Sequence, residues 1–226
     1  MAVDPRVRKR ERVKLVVVGA GGHARSVIEA VRAAGEHEAA ACTEKRPELV
    51  GQELDGVPIV GDDLMLPNLL ASGISGACLG VGGDADNGPR QRLFDHVREV
   101  GYELPAIVHP AAVVARSARL SHATVVLAHA VVGAGADVAE NAVVNTAAVV
   151  EHDCVVEAYA HIATGALLAG GVTVGRLAHV GIGAAVINGV RIGERAIVGA
   201  GSAVIRDVAP DTTVAGCPAV PLAPGR

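Results

Sequence analysis

The chain has 226 residues, of which half are hydrophobic, and a formal net charge of −4 at pH 7. This length allows one large or two small domains. Apart from a short basic stretch at the start, no long run of one charge sign occurs, so nucleic acid is not expected as the main partner. No apolar segment is long enough to span a membrane. The four cysteines are scattered without a C-x-x-C motif, which is typical of free thiols in a cytoplasmic protein.

Residues 1–12 are predicted to be a flexible basic N-terminus, and residues 13–107 a small α/β domain. Val13–Val18 is an apolar run, and a helical pattern then continues to Ala34, where Gly35 is a candidate C-cap. Short apolar runs then alternate with helical patterns, which favours a small parallel sheet. The further strands are predicted at 39–42, 57–60 and 77–81, and the further helices at 63–71 and 90–100.

A glycine-rich loop follows the first predicted strand. The stretch Gly19–Ala24 matches G-x-G-x-x-A between a strand and a helix. Glycines at these positions allow backbone N–H groups to approach a phosphate, and the helix N-terminus favours its negative charge. A dinucleotide fold needs two such halves, and about ninety residues provide one. The loop therefore indicates a single nucleotide, and a nucleotide sugar is favoured over NAD.

The second part of the chain has a six-residue period. Every sixth residue from Val108 onward is aliphatic: Val108, Val114, Leu120, Val126, Val132, Val138, Val144, Val150, Val156, Ile162, Leu168, Val174, Val180, Val186, Ile192, Val198 and Val204. The residue four positions after each is small. A period of six fits neither a helix nor an ordinary strand. It fits a solenoid with triangular coils, in which stacked coils bury a continuous core. Residues 108–209 are therefore predicted to form a β-solenoid, followed by a C-terminal tail at 210–226.

From Val13 to Ala219 the chain resembles the bacterial hexapeptide-repeat nucleotide-sugar N-acetyltransferases and the NeuD-like sialic acid O-acetyltransferases. The resemblance rests on the Gly-Ala-Gly-Gly-His loop and on Glu151-His152-Asp153 within the repeat. It implies a Rossmann-like mononucleotide-binding domain followed by a left-handed parallel β-helix, whose hand is implied by the resemblance alone. It also implies homotrimers with sites between neighbouring helices, and acetyl-CoA as co-substrate. No constellation of metal ligands is visible, so no metal is expected.

Acetyl transfer from a thioester needs a base, an oxyanion donor and two aligned substrates. By resemblance, His152 is the general base, Asp153 orients its ring, and the backbone N–H of Gly170 stabilises the oxyanion. Glu151 is a second candidate for orienting the ring. An ordinary solvated corner with these residues is the alternative interpretation.

The resemblance also implies binding residues. His161, Gly170 and Ala200, where some relatives have glycine, match positions near acetyl-CoA, and Arg191 is a candidate for its phosphates, together with Arg176, Arg195 and Arg206. The expected nucleotide-sugar contacts are Gly19, Gly21, Gly22, His23, Thr43, Glu44 and Asn145. Relatives often carry an acidic pair where this chain has Thr43 and Glu44, which leaves the nucleotide preference open.

The sequence intervals between His152, His161 and His179 predict where these residues lie on the coils. His161 lies half a coil after His152 and should occupy a different side of the coil, so the two could share a pocket most easily across a subunit interface. His179 lies eighteen residues, one coil, beyond His161 and should stack on it.

The sequence thus predicts an acetyl-CoA-dependent N-acetyltransferase acting on a nucleotide-linked 4-amino-4,6-dideoxy sugar. An O-acetyltransferase for sialic acid or a related sugar remains an alternative, as does a non-catalytic sugar-nucleotide binding protein. An NAD-dependent oxidoreductase is a more distant alternative.

Overall fold

The computed structural model of the protein describes residues 12–83 and 85–222. The predicted basic N-terminus therefore lies outside the described residues, apart from Arg12. Two units follow each other along the chain: an α/β domain and a parallel β-helix.

The α/β domain contains a sheet with strand order β3-β4-β2-β1-β5. Its strands are β1 Val13–Val18, β2 His37–Thr43, β3 Glu53–Leu54, β4 Val57–Gly61 and β5 Gly76–Leu79. β1, β2, β4 and β5 are parallel, and β3 pairs with β4 in the antiparallel sense. The buried run Leu15–Val18 forms the centre of the sheet. The parallel arrangement brings the carboxyl ends of β1, β2 and β5 to one edge, where ligands bind in open α/β sheets.

Three α-helices are described: α1 Gly22–Ala34, α2 Leu66–Ala71 and α3 Gly88–Val100. α1 ends at Gly35, which is left-handed (φ 68°) and donates its N–H to the carbonyl of Val31 at 3.1 Å, as expected of a C-cap. The helix predicted at 63–71 begins instead as a 3₁₀ turn, Asp63–Met65. Pro67 explains the difference, because it has no N–H to give to the carbonyl of Asp63.

The β-helix is built from two-residue strands that stack into three parallel sheets. The domain-facing sheet consists of β6 Ile107–Val108, β9 Val125–Val126, β12 Val143–Val144, β15 His161–Ile162, β18 His179–Val180 and β21 Ile197–Val198, and is extended by β23 and β24. The apolar sheet consists of β7 Val113–Val114, β10 Val131–Val132, β13 Val149–Val150, β16 Leu167–Leu168, β19 Ala185–Val186 and β22 Ala203–Val204. The polar sheet consists of β8 Arg119–Leu120, β11 Asp137–Val138, β14 Val155–Val156, β17 Thr173–Val174 and β20 Arg191–Ile192.

The core of the β-helix confirms the six-residue register. The second residue of each strand points inward, and the small residue four positions later closes the corner. As far as β22, strands of successive coils pair at an interval of eighteen residues, as His161 does with His179. In the last coil the interval is sixteen, between Ile197 and Thr213. Residues that carry chemistry therefore lie next to each other when they are one coil apart.

The α/β domain packs on the domain-facing sheet. Val125 and Val143 share a buried cluster with Val27 and Ile28 of α1. On the α3 side, the Phe94 ring meets the ring of Tyr159 edge-on, with centroids 5.6 Å apart. The two units are thus joined by apolar contacts on both flanks of the sheet.

The segment predicted as a C-terminal tail carries regular structure in its described part. β23 Thr213–Gly216 pairs in parallel with β21, and β24 Ala219–Pro221 turns back antiparallel onto β23. This hairpin covers the last coil of the domain-facing sheet, as capping units do in solenoids.

Two glycines at one corner allow a test of coil stacking. A Cβ added to Gly181 would lie 2.5 Å from the Val198 carbonyl oxygen, whereas one added to Gly183 would meet nothing within 4 Å. We expect Gly181→Ala to lower the free energy of unfolding by roughly 1–3 kcal/mol, because the next coil cannot approach. Gly183→Ala should cost about 1 kcal/mol or less, because Ala147 already adopts the same left-handed conformation (φ 56°). Denaturant unfolding of both variants measures the difference, and equal losses would contradict this account of stacking.

Candidate active site

His152 lies on the corner between the apolar and polar sheets. Its Nδ1 is 3.0 Å from Oδ2 of Asp153, and its side chain is 59% exposed. Asp153 is in the left-handed region (φ 58°), and its N–H donates to the Ala134 carbonyl one coil earlier. Because the carboxylate accepts the Nδ1–H, the lone pair of the neutral ring is on Nε2. The hydrogen bond and the charge of Asp153 raise the pKa of His152. Glu151, the second orienting candidate, bonds instead to the backbone N–H of His152.

Gly170 faces the His152 ring from the next coil. A Cβ on Gly170 would lie 2.4 Å from both Cε1 and Nε2 of His152, so the ring can occupy this position only because residue 170 has no side chain. Within the described part of the chain, the Gly170 N–H donates to no backbone acceptor. A free amide thus lies beside the basic nitrogen of His152.

A cavity of about 580 Å³ opens at the carboxyl edge of the α/β sheet. Gly19, with φ 96°, starts the loop that forms one wall, and Gly21, Gly22 and His23 continue it. The remaining lining residues are Ala20, Glu44, Lys45, Asp63, Gly80, Val81, Gly82, Pro89, Arg92, Leu93 and His96. The glycine loop, His23 and Glu44 are therefore brought together, as the sequence predicts.

The carboxylate of Glu44 binds the loop itself. Its Oε2 accepts from the Ala20 N–H at 3.2 Å, and both oxygens accept from Arg46. These bonds, with Arg46 first, lower the pKa of Glu44 to about 2. Thr43 is fully buried, and its hydroxyl donates to Asp63 at 2.9 Å. Thr43 therefore lies behind the cavity wall and holds Asp63, which lines the cavity.

A smaller cavity of about 350 Å³ lies on the other side of the same loop. It shares Ala20, Gly21 and Gly22 with the first cavity, and adds the guanidinium groups of Arg25 and Arg46. The glycine loop is thus accessible from two sides.

Three histidines, His23, His161 and His179, lie close together where the α/β domain contacts the β-helix. His161 is 4% exposed, its Nδ1 accepts the Gly83 N–H at 3.0 Å, and its Nε2 is 3.1 Å from the side-chain amide of Asn145. Its ring centroid is 5.1 Å from that of His179 and 6.4 Å from that of His23. His161 and His179 pair in register on adjacent coils, which confirms the predicted interval of one coil, and their ring planes are tilted by 59°. Burial lowers the pKa of His161 to about 2 and that of His23 to about 3, with neighbouring positive charge as a further cause. These rings are neutral at physiological pH.

The triangular coil separates the two groups. His161 lies on the domain-facing sheet, whereas His152 lies on the corner opposite that sheet. Within one chain, the His152 corner and the cavity of the α/β domain therefore lie on opposite sides of the β-helix.

The predicted acetyl-CoA residues are also spread over the coil. Arg191 is exposed on the polar sheet, and its N–H donates to Asp207. Ala200 lies on the corner between the domain-facing and apolar sheets. The guanidinium of Arg176 stacks on the Tyr159 ring at 4.4 Å, and Arg195 pairs with Asp211 and Glu194. Arg176 and Arg195 are thus engaged within the chain.

Sequence reasoning missed part of the cavity wall. Asp63, Arg92 and His96 line it, although none was singled out. A signal existed for two of them, because Arg92 and His96 are four residues apart on the predicted third helix and must share one face. Asp63 follows β4 at the same edge at which β1 and β2 end.

In the part of the chain that the structure describes, no helix is long and apolar enough to cross a membrane. It also contains no group of three or more His, Cys, Asp or Glu side chains arranged to hold a metal ion.

Residues 14–97 match the family model described as the PglD N-terminal domain. No curated protein sequence matches the chain.

Solved structures match nearly the whole chain. The GDP-perosamine N-acetyltransferase of Caulobacter crescentus, in complex with CoA and GDP-perosamine, is 40% identical over 93% of this chain and 97% of its own, with a TM-score of 0.88. The acetyltransferase domain of PglB from Neisseria gonorrhoeae is 35% identical over 93% of this chain and 100% of its own, with a TM-score of 0.84. WeeI from Acinetobacter baumannii shares the fold at 21% identity, over 92% of this chain and 99% of its own, with a TM-score of 0.75.

These matches confirm a Rossmann-like N-terminal domain followed by a left-handed β-helix. They also confirm the expected acyltransferase class. The chain belongs to the nucleotide-sugar N-acetyltransferases of the hexapeptide-repeat, left-handed β-helix family.

Proposed function

We propose that this protein transfers the acetyl group of acetyl-CoA to the amino group of a nucleotide-linked 4-amino-4,6-dideoxy sugar. The observation that carries the proposal is the His152–Asp153 pair beside the backbone of Gly170, in a chain 40% identical to a GDP-perosamine N-acetyltransferase. The glycine-loop cavity supports a nucleotide as the handle of the sugar, because its loop and helix N-terminus favour phosphate.

The geometry supports direct transfer. The sugar amine attacks the thioester carbonyl, forming the N–C bond, while Nε2 of His152 accepts the proton that the nitrogen loses. The Gly170 N–H donates to the developing oxyanion. As the intermediate collapses, the C–S bond breaks, and the proton held by His152 passes to the leaving sulfur of CoA. Asp153 keeps the Nδ1–H in place throughout, which preserves the tautomer that presents Nε2 as base.

We also propose that the active protein is a homotrimer. The outward residues of the apolar sheet are all aliphatic, and Val113 and Leu167 are 62% and 47% exposed. The equivalent positions of the polar sheet carry Arg119, Asp137 and Arg191. A head-to-tail ring that buries the apolar sheet would bring the His152 corner of one subunit towards the α/β domain of the next. His161, Ala200, Arg191 and Asn145 are proposed to contact the substrates in the cleft so formed.

The acceptor is tested with a substrate panel. We expect free-thiol release from acetyl-CoA with one of the GDP-, UDP- or dTDP-linked 4-amino-4,6-dideoxy sugars, and none with sialic acid. Activity on sialic acid alone would replace the proposal with O-acetylation, and CoA binding without turnover of any acceptor would argue against it.

Loss of the base is the direct test of the mechanism. We expect His152→Ala to lower kcat by about 10²–10⁴-fold, because proton transfer in the transition state is lost. His129→Ala is the matched control, since His129, like His152, is an exposed histidine at a corner of the β-helix. Near-normal turnover by His152→Ala would refute the assigned role.

The Asp153 contact predicts a pH effect. Because Asp153 raises the pKa of His152, and because the base must be neutral, kcat/KM should rise with pH through that pKa. Asp153→Asn should shift the rising limb to lower pH and lower its plateau. A pH–rate profile of both proteins measures this, and an unshifted limb would show that another group sets the profile.

The trimer interface has its own test. Leu167→Asp should dissociate the trimer and abolish activity, because a carboxylate would be buried in the apolar interface. Val155→Asp, which changes an exposed aliphatic residue on the polar sheet, should leave the oligomer intact. Light scattering gives the mass of each variant, and a Leu167→Asp protein that remains trimeric would place the interface elsewhere.

A further inference from the structure

A second glycine-rich loop lies beside the first at the cavity. Gly80–Gly83 follows β5, and Gly80, Val81 and Gly82 line the cavity together with the Gly19–Gly22 loop. The loops touch, because a Cβ on Gly80 would lie 2.3 Å from the Gly19 carbonyl oxygen. A glycine loop at the end of a parallel strand allows its backbone to approach a ligand closely.

A buried guanidinium holds this second loop from behind. Arg90 of α3 is 1% exposed. Its Nη1 donates to the carbonyl oxygens of Leu79 and Val81, and its Nε reaches the carbonyl of Asn141 on the β-helix. Among the described residues, no carboxylate lies within 4 Å of it, and its Nη2 has no hydrogen-bond partner. Burial lowers the pKa of Arg90 to about 10, so the group still carries its charge at neutral pH.

Peptide geometry gives the direction of one backbone donor. In a trans peptide the C=O and the following N–H point in opposite directions. The Val81 carbonyl points back to Arg90, so the Gly82 N–H points away from Arg90. Gly82 lines the cavity, whereas Arg90 is not among the lining residues. In the described part of the chain this N–H donates to no backbone acceptor. His23 packs against Gly82, with its ring 3.3 Å from where a Cβ would lie.

We propose that Arg90 is a positioning residue that holds the Gly80–Gly83 loop so that the Gly82 N–H donates to the diphosphate of the nucleotide sugar. The diphosphate would then be bound between two glycine loops. This inference rests on the proposed function. A buried cation without an anion is costly, and a diphosphate in the cavity would offset that cost. The contribution of Arg90 thus depends on the charge of the ligand.

The test compares a nucleoside diphosphate with its nucleoside. GDP, UDP and dTDP are titrated into the full-length protein, and the one that binds most tightly is compared with its own nucleoside. Arg90→Met should reduce the preference for the diphosphate about tenfold or more, because the loop loses its anchor and the site its charge. Arg90→Lys should retain part of the preference. KM for acetyl-CoA should not change, and Arg98→Met, an exposed arginine of the same helix, should leave the preference unchanged.

A second pair of variants removes the donor itself. Gly82→Pro eliminates the N–H and should reduce the preference as Arg90→Met does, whereas Gly82→Ala keeps the N–H and should reduce it less. If Arg90→Met does not fold, the two Gly82 variants still test whether this loop binds the diphosphate. An unchanged preference in Gly82→Pro would overturn the role of the loop. If the wild-type protein binds none of the three diphosphates, the proposed function fails with this inference; if it binds one and the variants retain its preference, only the inference fails.

Discussion

Stacking of coils at an eighteen-residue interval is the constraint on which the rest of this structure depends. Each coil contributes three inward aliphatic residues and three small corner residues, and the backbone of each strand bonds to the next coil. As far as β22, a residue therefore lies above the residue eighteen positions earlier; in the last coil the interval is sixteen, as between Ile197 and Thr213. His152 and Gly170, and likewise His161 and His179, are pairs at the eighteen-residue interval. The repeat that builds the core also fixes the distances between chemically important groups.

Coil stacking also explains why residue 170, which lies beside His152, must be glycine. Corner residues of successive coils are close, so a side chain on one coil limits the space on the next. His152 can lie over the neighbouring corner only because Gly170 has no Cβ, and the corner before it approaches closely because Gly133 has none. A Cβ on Gly133 would lie 2.7 Å from the His152 backbone nitrogen. Gly170 leaves room for the ring, Gly133 leaves room for the backbone that carries it, and Asp153 bonds to Nδ1. Preorganisation here comes from backbone stacking as much as from hydrogen bonds.

The sequence predicted the parts of the structure that follow a period, and not the parts that depend on contact between the two units. The six-residue register gave the β-helix core, and the eighteen-residue interval gave the His161–His179 pair. Thr43 could not be separated from Glu44 by sequence, because whether a residue at a strand end faces the cavity or the sheet depends on the local bulge, and β2 shifts register at this point. Arg90 had no sequence signal, because its partners are carbonyl groups that lie far apart in the chain. Every residue has a backbone carbonyl, so residue types do not indicate which carbonyl groups accept a hydrogen bond.

The three sides of the triangular coil carry different surfaces, and this difference separates His152 from the cavity of the α/β domain. The α/β domain covers one side, an aliphatic surface occupies the second, and charged residues occupy much of the third. The covered side carries the α/β domain with its cavity, and the opposite corner carries His152. A rigid β-helix cannot bend to bring them together, because its interior is filled by the packed core. The aliphatic side lies between the two, so the association that buries it is also the step that could join the cavity of one subunit to the base of another. On this view, the hydrophobic driving force for assembly and the completion of the active site are the same event.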